Sequence, residues 1–272
     1  MQTKFFSIVV VSLNPGRRLY DTINSILDQS FTDYEVIIKD GGSNDRSAAF
    51  LEKEGILQKY PQIRFFSQPD KSIYDGMNQA VAFAEGKYIL FLNCGDLFYE
   101  KDVLLKVADE IKSKGAIDGP AIFYGNQYNL LQNSIVTSAP QINDFTCFRN
   151  VPCHQVCFYD RRLFNTRAYL PQYTVRADYE HFLYSVYEEK AQTFSMPVTV
   201  CVYEGGGYSE TKENRKKSAM QHKEITSKYL GKKAVKYRII MFLTLSGIRG
   251  KIAENPKLSK FYNAVKSAVY KR

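Results

Sequence analysis

Gly86-Lys87-Tyr88-Ile89-Leu90-Phe91-Leu92-Asn93-Cys94-Gly95-Asp96 is the stretch on which the fold turns. Five large apolar residues, 88–92, stand between Gly-Lys and an asparagine. A short bounded run of this kind reads as a strand covered on both faces, as in a parallel sheet. It leads into a small polar turn that ends on a carboxylate, Asp96. Open α/β sheets bind ligands just beyond the carboxyl ends of their strands, so Asp96 is expected at the edge of a cleft. An oxygen ligand there suits a hard cation, Mg²⁺ or Mn²⁺, beside a phosphate. The same residues also suit a plain turn and helix cap, since Asn, Gly and Asp are common turn formers.

Toward the N-terminus, residues 5–13 read as a central strand and 14–16 as a turn. Residues 17–30 read as a helix with Leu19, Ile23, Ile26 and Leu27 on one face. Residues 34–39 form a second strand, which ends in Asp40-Gly41-Gly42-Ser43-Asn44-Asp45. A helix over 46–60 stops at Pro61, and 63–67 is a third strand. Ser72-Ile73-Tyr74-Asp75 matches the Ser-x-x-acid cap and opens a helix carrying Met77, Ala80, Val81 and Ala84. Strand and helix alternate up to Asp96, which predicts an α/β, Rossmann-like, mainly parallel sheet flanked by helices, with right-handed crossovers.

Toward the C-terminus the pattern is less regular. A helix is expected over 101–112 and a hairpin over 121–131 and 134–139. His154-Gln155 lies in a loop-like stretch, and Asp178 stands at the start of a helix running to about 189. Pro197 interrupts the strand 194–203, which marks it as an edge. Gly205-Gly206-Gly207 is a flexible loop. From Thr211 a basic helical extension begins. The expected division is 1–210, with a nucleotide-binding half over 4–113 and an acceptor half over 114–210, followed by the extension 211–272.

Of 272 residues, 44% are hydrophobic and 24% charged, the balance of a globular chain. The charge is unevenly placed. Residues 211–272 hold 17 Lys or Arg against 3 Glu, a net of +14, while residues 1–210 carry a net of −5. A basic extension points to an anionic surface, membrane lipid or nucleic acid. Recognisable DNA- or RNA-binding motifs are missing, so nucleic acid is not expected as a partner. The apolar run at 239–248 is too short to span a bilayer. Five Cys, with a strand-like N-terminus, favour a reducing cytoplasm. Cys147, Cys153, His154 and Cys157 cluster without the paired Cys-x-x-Cys spacing of a zinc site.

No Gly-x-Gly-x-x-Gly or Walker-type Gly-Lys-Ser follows the first strand. Polar side chains stand instead at three strand ends, Asn14, Asp40 and Asp96, and together they suggest one shared pocket. Asp178 is a further candidate, with an N-cap as its plainer role. His154 in its loop could contact a phosphate.

These motifs in this order resemble the family 2, GT-A-fold inverting glycosyltransferases. The likeness is greatest to the subgroup that builds bacterial O-antigen, capsule and colanic-acid-type polysaccharides. The carrying residues are 7–14, 40–45, Ser72-Ile73-Tyr74-Asp75-Gly76-Met77-Asn78, Asn93-Cys94-Gly95-Asp96, His154-Gln155 and Ala177-Asp178-Tyr179-Glu180.

The resemblance implies that Asp40 binds the nucleotide base, with Ser12 and Asn14 near the nucleotide. It puts Asp75, Asn78 and Asn93 on the donor side and His154 and Gln155 on the acceptor or phosphate side. Asp96 would be the surviving carboxylate of the metal-binding Asp-x-Asp motif, and Asp178 the catalytic base. Asn93 and Ala177 depart from the Asp and Glu of many relatives. The donor implied is a nucleotide sugar, most simply a UDP-sugar, and the acceptor a lipid-linked saccharide. The metal implied is Mg²⁺ or Mn²⁺, and the location the inner face of the cytoplasmic membrane, held peripherally by 211–272. A catalytically inactive sugar-nucleotide-binding protein and a nucleotidyltransferase of related topology are the alternatives.

Overall fold

The computed structural model describes residues 4–205 and 211–243 of the 272. Gly206, Gly207 and residues 244–272 of the basic extension lie outside the described residues. One sheet organises the first unit, Met1–Ile225, and a second unit comprises Thr226–Arg272.

The elements follow the apolar pattern closely up to the quoted stretch. Strand β1 (Phe6–Ser12) is buried along its whole length, as is β2 (Tyr34–Asp40). Helix α1 (Arg18–Leu27) lies between them and buries Leu19, Thr22, Ile23 and Ile26. The single helix expected over 46–60 is two short ones, α2 (Ala49–Lys53) and α3 (Ile56–Lys59). Gly55 between them takes φ 61°, a left-handed conformation that ends a helix and that glycine adopts without steric cost. Strand β3 (Ile63–Ser67) follows, and then α4 (Ile73–Val81), where the Ser72 hydroxyl accepts from the Asp75 amide at 3.2 Å as the sequence predicted. Strand β4 (Tyr88–Phe91) is fully buried and lies beside β1.

Beyond Asp96 come β5 (Leu97–Phe98), α5 (Val103–Ser113), β6 (Ala121–Asn129), β7 (Ser134–Val136) and α6 (Asp144–Arg149). A single 3₁₀ turn (His154–Val156) enters β8 (Cys157–Asp160). Then come α7 (Arg162–Thr166), α8 (Ala177–Tyr187), β9 (Gln192–Tyr203), α9 (Lys212–Leu230) and α10 (Lys232–Leu243).

The strand order is β3-β2-β1-β4-β8-β6-β9-β5, with β7 on β6. It is parallel across β3-β2-β1-β4 and mixed beyond, where β8 runs antiparallel to both β4 and β6. Strand β9 is more than the edge that Pro197 suggested. It pairs with β6 along most of its length and with β5 near its end. Its register on β6 shifts between Ser195 and Thr199, so Pro197 falls in the irregular step, where a missing N–H costs no ladder bond.

The first half of α9 is built into the first unit. The Gln221 side chain accepts from the Val175 and Arg176 amides at 3.1 Å each, and the Arg176 guanidinium donates to Ser218 Oγ at 2.7 Å. Among the described residues, no helix is long and apolar enough to cross a membrane.

Candidate functional site

Strands β2, β1 and β4 are consecutive and parallel, so Asp40, Ser12 with Asn14, and Asn93 with Asp96 emerge along one edge of the sheet. Strand β8 is next in order and antiparallel to β4. It therefore begins at the edge where β4 ends, and His154-Gln155, immediately before it, arrive beside Asn93 and Asp96. The topology thus gathers residues that the chain keeps about sixty apart.

On the β1–β2 side the polar groups chiefly hold one another. The Asp40 carboxylate accepts from the Gly42 and Ser43 amides at 3.0 and 2.9 Å, from Ser67 Oγ at 2.7 Å and from Ser43 Oγ. Burial alone would raise its pKa, but these bonds outweigh it and hold the carboxyl below its ordinary range. Asn14, at φ 47°, accepts from the Asn44 amide through Oδ1 (2.9 Å), and its own N–H donates to Ser43 Oγ (2.7 Å). The two loops are thereby stapled together. Ser12 is buried, and its Oγ has no partner among the described residues. Lys39, fully buried, is ion-paired with Asp70 just behind this loop. Asp75 accepts from the Lys71 amide at 2.8 Å. Asn78 spends both halves of its amide on the backbone of Tyr169, each at 2.9 Å, and so ties α4 to the stretch that leads toward α8.

The Asn93–Asp96 turn is gripped from two sides. From α1, Thr22 Oγ1 accepts from the Gly95 amide (2.9 Å) and donates to the Asp96 carbonyl (3.0 Å). From the 3₁₀ turn, Gln155 Nε2 donates to Asp96 Oδ2 at 3.0 Å. Arg18 and Glu204 form an ion pair at 3.3 Å beside Gly95. Burial pushes the Asp96 carboxyl up to about 6, and the Gln155 bond reverses only part of that. A desolvated carboxylate of this kind is suited to a divalent cation. Among the described residues no group of three or more His, Cys, Asp or Glu is arranged to hold one. Asp96 would therefore bind it together with ligand phosphates, the usual manner of Mg²⁺ sites.

Asp178 lies in the first turn of α8 and is 22% exposed. Tyr74, in the first turn of α4, donates its hydroxyl to Asp178 Oδ1 at 2.8 Å, and the Val175 carbonyl lies 3.0 Å from the same hydroxyl. His154 Nδ1 is 3.0 Å from Asp178 Oδ2, and His154 Nε2 is 2.8 Å from Asn93 Nδ2. Burial raises the Asp178 pKa, but the hydrogen bonds from His154 and then from the Tyr74 hydroxyl overcome it and keep the carboxyl below its ordinary range. Behind it, Tyr169, Phe164 and His181 pack as a wall of rings, with His181 stacked on Phe164 at 4.2 Å. Burial lowers His181 to about 4, so this histidine is a neutral packing group.

The structure therefore joins Asn93, His154 and Asp178 in one string and joins Gln155 to Asp96. It leaves Asp40, Asp75 and Asn78 engaged with backbone and loop. Tyr74 and Thr22 are members that sequence reasoning passed over. Tyr74 was named only within the capped helix start and the motif that opens there, with no task of its own, and Thr22 was not singled out on α1.

The family model described as glycosyl transferase family 2 matches residues 7–167. A PGL/p-HBAD biosynthesis glycosyltransferase of Mycobacterium bovis is 32% identical over 215 residues, covering 78% of this chain and 81% of that one. Staphylococcus aureus TarS 1-349, solved in complex with UDP-GlcNAc, superposes with a TM-score of 0.61 at 15% identity, over 83% of this chain and 71% of that one. The mannosyltransferase PcManGT of Pyrobaculum calidifontis, solved with GDP-Man and Mn²⁺, gives a TM-score of 0.64 at 11% identity, over 99% of this chain and 86% of that one.

Proposed function

The chain belongs to glycosyl transferase family 2, and from that membership we propose a specific reaction. The enzyme is a glycosyltransferase of GT-A fold. In our reading it moves a sugar from a UDP-sugar to a hydroxyl of a lipid-linked saccharide, with inversion, in the building of a cell-surface polysaccharide. The observation that carries this is the string from Asn93 through His154 to Asp178. It brings an ionised, partly open carboxylate to the strand ends that also carry Asp96.

Inversion is a single displacement. The acceptor oxygen bonds to the anomeric carbon while the bond from that carbon to the diphosphate oxygen breaks. The acceptor proton passes to Asp178. A hydroxyl is a poor nucleophile at neutral pH, and such a base contributes about 10²–10⁴-fold. Asp40 and its stapled loop, with Ser12 and Asn14, take the nucleotide, and Asp75, Asn78 and Asn93 support the donor side. Asp96 would hold Mg²⁺ or Mn²⁺, which would supply charge stabilisation to the leaving diphosphate.

The acceptor's lipid calls for a membrane surface. In our reading the enzyme is cytoplasmic and peripheral. Helix α10 carries Lys232, Lys233, Lys236 and Arg238, with Val235 and Ile239 about half exposed, a pattern suited to an anionic interface.

A thermal-shift panel of UDP- and GDP-sugars with Mn²⁺, followed by NMR of the product anomer, tests the reaction. One UDP-sugar should raise Tm and yield the opposite anomeric configuration. Retention of configuration, or no nucleotide sugar that stabilises the chain, overturns it.

A further inference from the structure

His154 stands between two groups that the proposed reaction places on different tasks. Asn93 belongs to the donor-side turn, and Asp178 is the base. The ring touches both, at 2.8 and 3.0 Å, and its side chain is only 12% exposed. An amide nitrogen is solely a donor, so Asn93 Nδ2 requires His154 Nε2 to be an acceptor. The single hydrogen of a neutral ring then sits on Nδ1 and points at Asp178 Oδ2. Asn93 keeps its other amide atom, Oδ1, buried and without a partner among the described residues. A carboxylate at position 93 would be an acceptor only. It would call for a second ring hydrogen and a charged imidazolium against the base.

We propose that His154 is the positioning residue of Asp178, and that Asn93 holds it in the neutral Nδ1–H tautomer. The proposal rests on Asp178 being the base. It gives the asparagine at 93 a task on the acceptor side: to keep the partner of the base uncharged. A neutral donor orients the carboxylate while drawing less electron density from it than a cation would. Tyr74 holds the other carboxylate oxygen, so the two donors together fix the plane in which the acceptor proton is received.

The first test needs no substrate. The full chain, labelled with ¹⁵N-histidine, is examined at a pH well above the ordinary imidazole range. The signals absent from His154→Gln identify His154. The expected result is the Nδ1–H form in the native chain and its loss in Asp178→Asn. A His154 in the Nε2–H form overturns the proposal.

The second test is turnover of the UDP-sugar selected by the thermal-shift panel, read as UDP release. His154→Gln places an amide near Nε2 and should lose about 10²-fold in kcat, with donor KM little changed. His154→Asn places its Nδ2 where Nδ1 lies and should recover most of that loss. Equal kcat in the two variants overturns the proposal, because a merely structural role favours neither. If the native chain turns over no nucleotide sugar, the transfer reading falls and the tautomer alone judges His154. If Asp178→Asn transfers at the native rate, the base assignment falls and this proposal with it.

Discussion

Asp96 is a buried carboxylate and Asp178 a partly open one, and their surroundings drive them in opposite directions. Asp178 receives a phenol and an imidazole and stays below its ordinary pKa, while Asp96, helped chiefly by one amide, rises to about 6. Two predictions belong to this scale. Asp178→Asn should bind UDP as the native chain does and lose transfer by about 10²-fold or more. Calorimetry with UDP and a transfer assay on the same preparation check it, and native-rate transfer rejects the base role.

For Asp96, the folded chain binds a proton more tightly than the unfolded one, whose carboxyl titrates near 3.8. The associated stability is present below that value and is lost as pH rises through about 6. The difference corresponds to about 3 kcal/mol at neutral pH. Asp96→Asn should therefore raise Tm at pH above that window, by roughly 6–12 °C, and the gain should shrink toward zero in acid. Thermal melts across pH measure it, and a variant less stable than native at neutral pH sinks it. Asp96 and Asp178 were legible in the sequence because each closes a recognisable local pattern. Tyr74 was not, because its task depends on a residue 104 positions away.

Among the elements, β4 shows how closely packing constrains the entry to the site. A Cβ on Gly86 would fall 2.6 Å from the Phe6 carbonyl carbon and the Ser7 nitrogen, both backbone atoms of β1 or its start. The Gly86 amide also donates to Glu35 Oε1 at 3.0 Å and to Ser7 Oγ at 2.8 Å. Neither strand can retreat without opening the β1–β4 pairing. Gly86→Ala should cost about 3 kcal/mol or more, at the severe end of overpacking. Thermal melts decide this, and a change within error of native would show that β1 yields. Elements in the first half were legible because β1 and β4 are almost wholly apolar and β2 is built on Val36-Ile37-Ile38. The split at Gly55 was not, since a glycine inside a helical pattern reveals its φ only in the folded chain. Strand β5, two residues long, carries too little pattern to be recognised.

At the scale of the whole molecule, the parallel half was legible from strand–helix alternation. The mixed half was not, because β8 and β6 take their direction from partners distant in sequence. The charge asymmetry was plain from composition, and its use is a prediction. The full chain should sediment with vesicles containing phosphatidylserine at low salt and release at high salt. Each Lys near such a surface is worth about 1 kcal/mol, so Lys232→Glu, Lys233→Glu and Lys236→Glu together should abolish sedimentation. Equal partitioning of native and triple variant at both salt concentrations removes the docking role.

The reversed direction of β8 has a consequence for how the chain comes to be folded. The four strands of the parallel half all lie between Phe6 and Phe91, so this part of the chain is synthesised before β8. The contacts that complete the site span 61 residues from Asn93 to His154 and 104 from Tyr74 to Asp178. Until β8 arrives, β4 offers a bare apolar edge, the kind of surface that recruits other nascent chains. The seam between β4 and β8, beside which Asn93 meets His154, is therefore also a seam along which an unfinished form of the chain is exposed to aggregation.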